Sequence, residues 1–384
     1  MRSGSRRVKL SPLTPLWRLL RGKIDLARIC PGAFVLLLFS FCPRAPFAFP
    51  AEAPAITKEL HWAVTEEKFE LALERLRVGK RPRSRAAVVL VHGIFVNSHF
   101  FDLDGDQSLA RYLAKEGFDV WNLSLRGTGR SLNPLRGGVE RWTLDDIIDR
   151  DLSSVVRYVQ KESGSSKVIW LGYEMGGLLL YGYLERKGSS GLAALVTIGT
   201  PVTFNHPQQE PMKRLLRLEE SPTLKKLFLS LNSPFFARLL IPFVPKMEAL
   251  FYNPENIEEE VKEKFLEAAL AEINPGVLDH LLMMIKRGEF VSAGGDFSYR
   301  KNLAKIQLPV LFIGGERDVL APPEAIRLVH RSVSSTDRTL RIFGPRTKDS
   351  TTYGHIDLIL GKRAIHEVFP VIGRWLKQRD TQDQ

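Results

Sequence analysis

From Ala86 onward the chain alternates short, β-rich apolar runs with amphipathic stretches of helical spacing, and no other feature constrains its fold as much. AVVLVHG (87–93), FDVWNLSLRG (118–127), KVIWLG (167–172), ALVTIGTP (194–201), LPVLFIGG (308–315) and TLRIFG (339–344) read as strands. Between and after them, SLARYLAKEG (108–117), LDDIIDRDLSSVVRYVQKES (144–163), GGLLLYGYLERKG (176–188), PPEAIRLVHRS (322–332) and KRAIHEVFPVIGRWLKQR (362–379) read as helices. Such alternation predicts a mostly parallel sheet with crossover helices. One interval breaks it. Residues 203–305 hold helical patterns (MKRLLRLEE, TLKKLFLSL, FFARLLIPF, NIEEEVKEKFLEAALAEI) and no strong strand signal, which predicts a helical cap inserted between two strands.

The 384 residues carry a net charge of +12, which raises the question of a nucleic-acid partner. The location of the charge answers it. Nine basic and two acidic side chains fall in residues 1–53, so the other 331 residues hold only +5, with no basic stripe interleaved with aromatics. No nucleic acid is expected. The basic head precedes an uncharged stretch, Ile29 to Pro43, centred on AFVLLLFSF and followed by small residues including Ala51-Glu52-Ala53. A positive n-region, a short apolar h-region and a small-residue exit describe a secretory signal peptide, so the chain is expected to be exported. Anchoring to a membrane by residues 29–43 is the alternative. The expected organisation is a head at 1–53, an α/β core at 54–202 and 306–384, and the cap at 203–305. Cys30 and Cys42 are the only cysteines and flank the h-region, so a mature chain lacks disulfides, thiol catalysis and thiolate metal sites. The eight histidines show no metal-ligand spacing.

Four chemistry-bearing segments fall at the carboxyl ends of strands, where an open α/β sheet presents its loops to ligand. His92-Gly93-Ile94-Phe95 has a glycine that lets the following backbone N–H groups turn into the cleft, as an oxyanion hole requires. Gly172-Tyr173-Glu174-Met175-Gly176-Gly177 has the flanking glycines of a sharp strand-to-helix turn. Gly314-Gly315-Glu316-Arg317-Asp318 follows a strand, and Tyr353-Gly354-His355 lies between the last strand and the last helix. A nucleophile position, an acid and a histidine thus occur in the chain order of an α/β-hydrolase triad.

Residues from about 86 to 379 resemble the α/β-hydrolase superfamily, nearest to its acid-lipase-like and esterase members. VHGIFVNSHFF resembles the oxyanion segment of those lipases, SLARYLAKEGFDVWNLSLRGTGRS their stretch after it, HLLMMIKRGEFVSAGGDFSYRKNLAKIQLPVLFIGGERDVLAPP the lid exit and acid-bearing loop, and GHIDLILG the histidine loop. The resemblance implies Asp318 as the orienting acid, His355 as the base, and the backbone N–H groups of Ile94 and Met175 as the oxyanion hole. It implies no cofactor, because hydrolases of this fold work with water and side chains.

The departure from the family lies at its centre: Glu174 stands where lipases and esterases have serine. A carboxylate has no proton for His355 to remove. Its oxygens reach roughly 2.5 Å beyond a serine oxygen. Its negative charge would also oppose the oxyanion of a tetrahedral intermediate, so ordinary serine esterase chemistry does not follow. Three readings stay open. Glu174 is a carboxylate nucleophile toward an sp³ carbon, as aspartate is in the epoxide-hydrolase and dehalogenase branches, with His355 then activating water. Or it pairs with protonated His355 in an inactive protein that binds a lipid-like ligand or a protein partner. Or it is a general base in a non-covalent reaction. The leading expectation is a hydrolase for a small apolar, ester-like or alkyl substrate, with Glu174, Asp318 and His355 as its catalytic residues.

Other candidates read as structural. Ser124, Ser131 and Ser350 lie in strand-end loops but not between closely spaced glycines. Glu316 competes with Asp318 for the acid role, and Asp357 reads as a partner that holds the histidine loop. His99, His206, His280, His330 and His366 read as surface or cap residues. Arg126 and Arg130 are expected to order the loop after the second strand. The aromatic residues Phe228, Phe235, Phe236, Phe243, Phe251 and Tyr252 are expected to pack the cap on the core, or to line an apolar tunnel.

Overall fold

The computed structural model of the protein describes residues 55–79, 86–103, 105–132, 140–211, 213 and 249–380. The whole of the expected head and the middle of the expected cap lie outside these residues, as do Phe228, Phe235, Phe236 and Phe243.

Two strands precede the predicted ones: β1 (Ile56–Val64) and β2 (Glu70–Val78), an antiparallel hairpin with Trp62 opposite Ala72. β3 (Ala87–Val91) is buried along its whole length. Continuous apolar runs of this kind suit a parallel strand covered on both faces. Helix α1 (Leu109–Lys115) starts where the Ser108 side chain accepts a hydrogen bond from the Arg111 N–H. β4 (Asp119–Leu123) follows, then helix α2 (Leu152–Ser163), entered through a π-helical turn at Ile147–Asp151. β5 (Val168–Tyr173) leads directly into helix α3 (Met175–Lys187), and β6 (Leu192–Ile198) comes next.

In the described part of the interval that follows, helix α4 (Pro275–Arg287) is capped by Asn274 and ended by Gly288 in the left-handed region. The sheet then resumes with β7 (Val310–Gly315), helix α5 (Pro323–Ser332), β8 (Arg338–Phe343) and helix α6 (Ala364–Asp380). The order across the eight-stranded sheet is β1-β2-β4-β3-β5-β6-β7-β8, parallel from β4 to β8 and antiparallel at the β1–β2–β4 edge.

Two apolar layers cover the sheet. Val155, Leu179 and Ile326, from α2, α3 and α5, share one cluster with Val89, Trp121 and Trp170. Leu113, Phe369 and Leu376, from α1 and α6, share the other with Val88, Leu171 and Ile313. This arrangement leaves the carboxyl ends of β3, β5, β7 and β8 on one sheet edge, which positions the site.

Candidate active site

The turn from β5 into α3 puts Glu174 at φ 51°, ψ −112°, a conformation that is strained for any residue with a Cβ. Two glycines make room for it. A Cβ on Gly172 would lie 2.5 Å from the Gly177 nitrogen, and one on Gly176 would lie 2.2 Å from the Val91 carbonyl oxygen. Main chain blocks both positions, so only glycine fits. The Glu174 N–H donates to the Ile198 carbonyl (2.8 Å), and its own carbonyl accepts from the Gly177 and Leu178 N–H groups as the first turn of α3.

The Glu174 side chain does not project straight into the cleft. It folds back over Gly93, and Oε2 accepts the Ile94 N–H at 2.8 Å. The Met175 N–H favours the charged form of the same carboxylate. One of the two donors expected of an oxyanion hole therefore holds this protein's own glutamate, and the other acts on the same carboxylate. The extra length over serine is taken up by that bend.

His92 braces the Gly93 turn. The Leu125 N–H donates to its Nε2 (3.1 Å), which leaves Nδ1–H to donate to the Gly93 carbonyl (2.8 Å). Burial lowers the His92 pKa to about 4 despite that backbone bond, so it is a neutral brace. Phe95, at φ 61°, then leads the loop toward the cap side, where its carbonyl accepts the Ala271 N–H and Val96 bridges Leu270.

On the histidine side, Nδ1 of His355 lies 2.7 Å from Oδ2 of Asp318. The other Asp318 oxygen accepts the Leu320 and Ala321 N–H groups at 2.9 and 2.8 Å, which fixes the carboxylate plane. Burial pulls the His355 pKa down, but the Asp318 charge and hydrogen bond, with the Glu174 and Asp357 charges, outweigh it and raise the pKa above its ordinary value. Burial raises the Glu174 pKa, against the His355 charge and the two backbone donors. Among the described residues, Nε2 of His355 is buried and has no hydrogen-bond partner. That is the atom a base or acid in this position uses.

The structure brings Ile94, Glu174, Met175, Asp318 and His355 together, and it gives the competitors other partners. Glu316 turns away to pair with Arg346 (3.1 Å). Asp357 accepts from the Gly354 and Asn253 N–H groups and from Asn256 Nδ2, holding the histidine loop; burial pushes its pKa up to about 6 against those bonds. Ser124 pairs with Ser98, Ser131 accepts the Ala72 N–H, and Ser350 accepts from Arg363.

Arg126 makes a buried bidentate pair with Asp151 (3.0 and 2.5 Å) and stacks over Phe69, which orders its loop as expected. The partner Asp151, the His92 brace and the asparagines around Asp357 were not foreseen. A histidine placed immediately before the loop glycine was the one available signal. Beside the oxyanion donors lies a cavity of about 20 Å³, bounded by Ile94, Leu125, Trp142, Met175, Ile273 and Val277. That is room for about one water.

The fold and these strand-end loops define an α/β hydrolase. The chain belongs to the Hydrolase_4 family (serine aminopeptidase, S33), whose sequence model matches residues 82–344. It is 23% identical over 348 residues to triacylglycerol lipase 1 of Arabidopsis thaliana, covering 80% of this chain and 84% of that one. With triacylglycerol lipase 2 of the same plant it is 29% identical over 158 residues, and the match spans only 38% of either chain. A thermophilic esterase from Thermogutta terrifontis superposes with a TM-score of 0.57 at 21% identity, covering 84% of this chain and 100% of that chain. An esterase from Exiguobacterium antarcticum gives 0.53 at 18% identity, covering 82% and 98%. The structural likenesses bear on the fold. The protein is an α/β hydrolase of lipase- and esterase-like build.

Proposed function

We propose that the protein is a two-step hydrolase in which the Glu174 carboxylate is the nucleophile, acting at an sp³ carbon of a small apolar ester-like or alkyl substrate. One observation carries this reading: Oε2 already accepts the Ile94 N–H at 2.8 Å, and the Met175 N–H favours the charge of the same carboxylate. Attack on a substrate carbonyl would need those donors for the new oxyanion. With the donors occupied, that route lacks its main stabilisation. Alkylation of Oε1 does not need them.

In the first step a C–O bond forms from Oε1 to the substrate carbon as the bond to the leaving group breaks, its electron pair going with that group. A leaving oxygen takes a proton from His355, whose pKa the neighbouring Asp318 and Glu174 charges raise. Esterification also removes the Glu174 charge, one of the causes of that rise, so Nε2 becomes a better water-activating base in the second step. It takes a proton from water, and hydroxide adds to Cδ of Glu174. The oxyanion then develops on Oε2, in the hole that already holds it. Collapse expels the alkoxide, which takes the proton of the added hydroxyl and restores the carboxylate.

The test is to treat the His355→Gln variant with 1-bromohexane, whose leaving group needs no proton. Mass spectrometry is expected to find one hexyl group on the peptide containing Glu174, absent from Glu174→Gln/His355→Gln. Saturable binding of the probe with no adduct in either variant would instead establish the ligand-binding reading.

A further inference from the structure

We infer that the outward face of β1 is a docking surface for a lipid bilayer with anionic headgroups. Successive residues of a strand point to opposite faces. His61 and Ala63 point inward, His61 reaching the Tyr158 hydroxyl (3.1 Å) and stacking near Trp121, and Ala63 joining the core. The alternate residues Leu60, Trp62 and Val64 point the other way and are 45%, 38% and 51% exposed.

The fourth member comes from elsewhere in the chain. Leu132, 61% exposed, follows Ser131, whose hydroxyl accepts the N–H of Ala72, the residue opposite Trp62. These four are the exposed large apolar side chains among the described residues, and the β1–β2 pairing and the Ser131 bond put Leu132 in the same region as the other three. Scattered single apolar residues are normal on a soluble surface, whereas a cluster marks an interaction site. Tryptophan beside aliphatic residues suits the boundary between headgroups and acyl chains.

The preceding chain identifies the occupant. The residues leading into β1 carry the uncharged run Ile29–Pro43, and eight of the nine basic side chains of residues 1–53 come before that run. Only twelve residues separate Pro43 from Ile56, a reach of at most about 40 Å. This rests on the anchoring alternative, in which the head is retained: a chain that keeps its head and engages an anionic membrane with it holds β1 close to that membrane. Basic residues near such a surface contribute about 1 kcal/mol each. No helix of the described residues is long and apolar enough to cross a membrane. Leu73 of β2 pairs with Leu123 at the end of β4, which puts the Val64 turn on the same sheet edge as the loops carrying Ile94 and Glu174. Docking would present that edge to lipid.

The test uses the full chain with Cys30→Ser and Cys42→Ser, and an environment-sensitive dye on Leu60→Cys, Leu132→Cys or Glu324→Cys. Glu324 lies in the first turn of α5, at the opposite end of the strand order. Vesicles of phosphatidylcholine and phosphatidylglycerol are added. The expected result is blue-shifted emission and a several-fold loss of iodide quenching at positions 60 and 132, with neither change at 324. Failure to float with the vesicles would overturn the proposal. So would flotation with dyes at 60 and 132 that stay as quenchable as in buffer, because the head alone would then hold the chain.

Discussion

The helix that begins at Glu174 carries a second glutamate whose burial has a measurable cost. Glu185 is 6% exposed, and among the described residues neither carboxylate oxygen has a hydrogen-bond partner. The nearby Lys305 ammonium lies 3.4 Å from the Glu185 main-chain carbonyl instead. Burial, opposed only by the Lys305 charge, pushes the pKa from 4.5 to about 9. A carboxyl with a raised folded pKa favours folding fully below its unfolded pKa, and that advantage is lost as pH rises toward the folded value. At pH 7 the folded chain must take up a proton that the unfolded chain does not hold, at a cost of about 3 kcal/mol, and the slope between pH 5 and 8 is about 1.4 kcal/mol per unit.

Glu185→Met removes the titration and keeps most of the volume. Guanidinium unfolding of wild type and variant at pH 5, 6, 7 and 8 should show the variant's advantage growing by about that slope. Glu185→Gln, which keeps the shape, should lose the same slope. A stability difference that does not change with pH would show that the carboxylate is solvated in the folded protein and refute the reasoning.

Three further outcomes follow from the site. Asp318→Asn should leave the fold intact but lower turnover by about 10²–10⁴-fold, because the carboxamide neither holds the His355 tautomer nor stabilises its charge; turnover and a thermal melt measured together check this. Arg126→Met should destabilise the chain by about 3–5 kcal/mol, since it leaves Asp151 buried without its guanidinium, and denaturant midpoints measure it. Gly176→Ala places a Cβ 2.2 Å from the Val91 carbonyl, so soluble expression or activity should collapse; a variant indistinguishable from wild type would mean that the turn is not built as described.

Much of this site was legible before the structure because backbone needs dictate it. The glycines at 172 and 176, the glycine after His92 and the acid and histidine at later strand ends are residue types that the geometry forces, in an order that the sheet imposes. The β1–β2 hairpin was not legible. ELALERLRV is built of helix formers and becomes strand β2 only because β1 and β4 flank it, an instance of tertiary context overriding propensity. β1 carries apolar residues on both faces, Ala63 inward and Leu60, Trp62 and Val64 outward, so its period does not announce a buried side. The helix predicted over 144–163 is interrupted by the π-helical turn that carries Asp151, and no spacing rule marks that turn. Least legible was the conformation of Glu174. Residue type and position set Glu174 apart from a serine nucleophile, whereas its contact with the Ile94 N–H depends on how closely Gly93 approaches, which is a property of the assembled loops.

A single turnover in oxygen-18 water, with enzyme in excess over styrene oxide, tests the central claim most directly. If Glu174 is the nucleophile, the product's new oxygen comes from its carboxylate, and the label appears in the Glu174 peptide rather than in the first diol released. Label in that first diol, with none in the Glu174 peptide, would contradict the account and leave the glutamate as a base for direct attack by water.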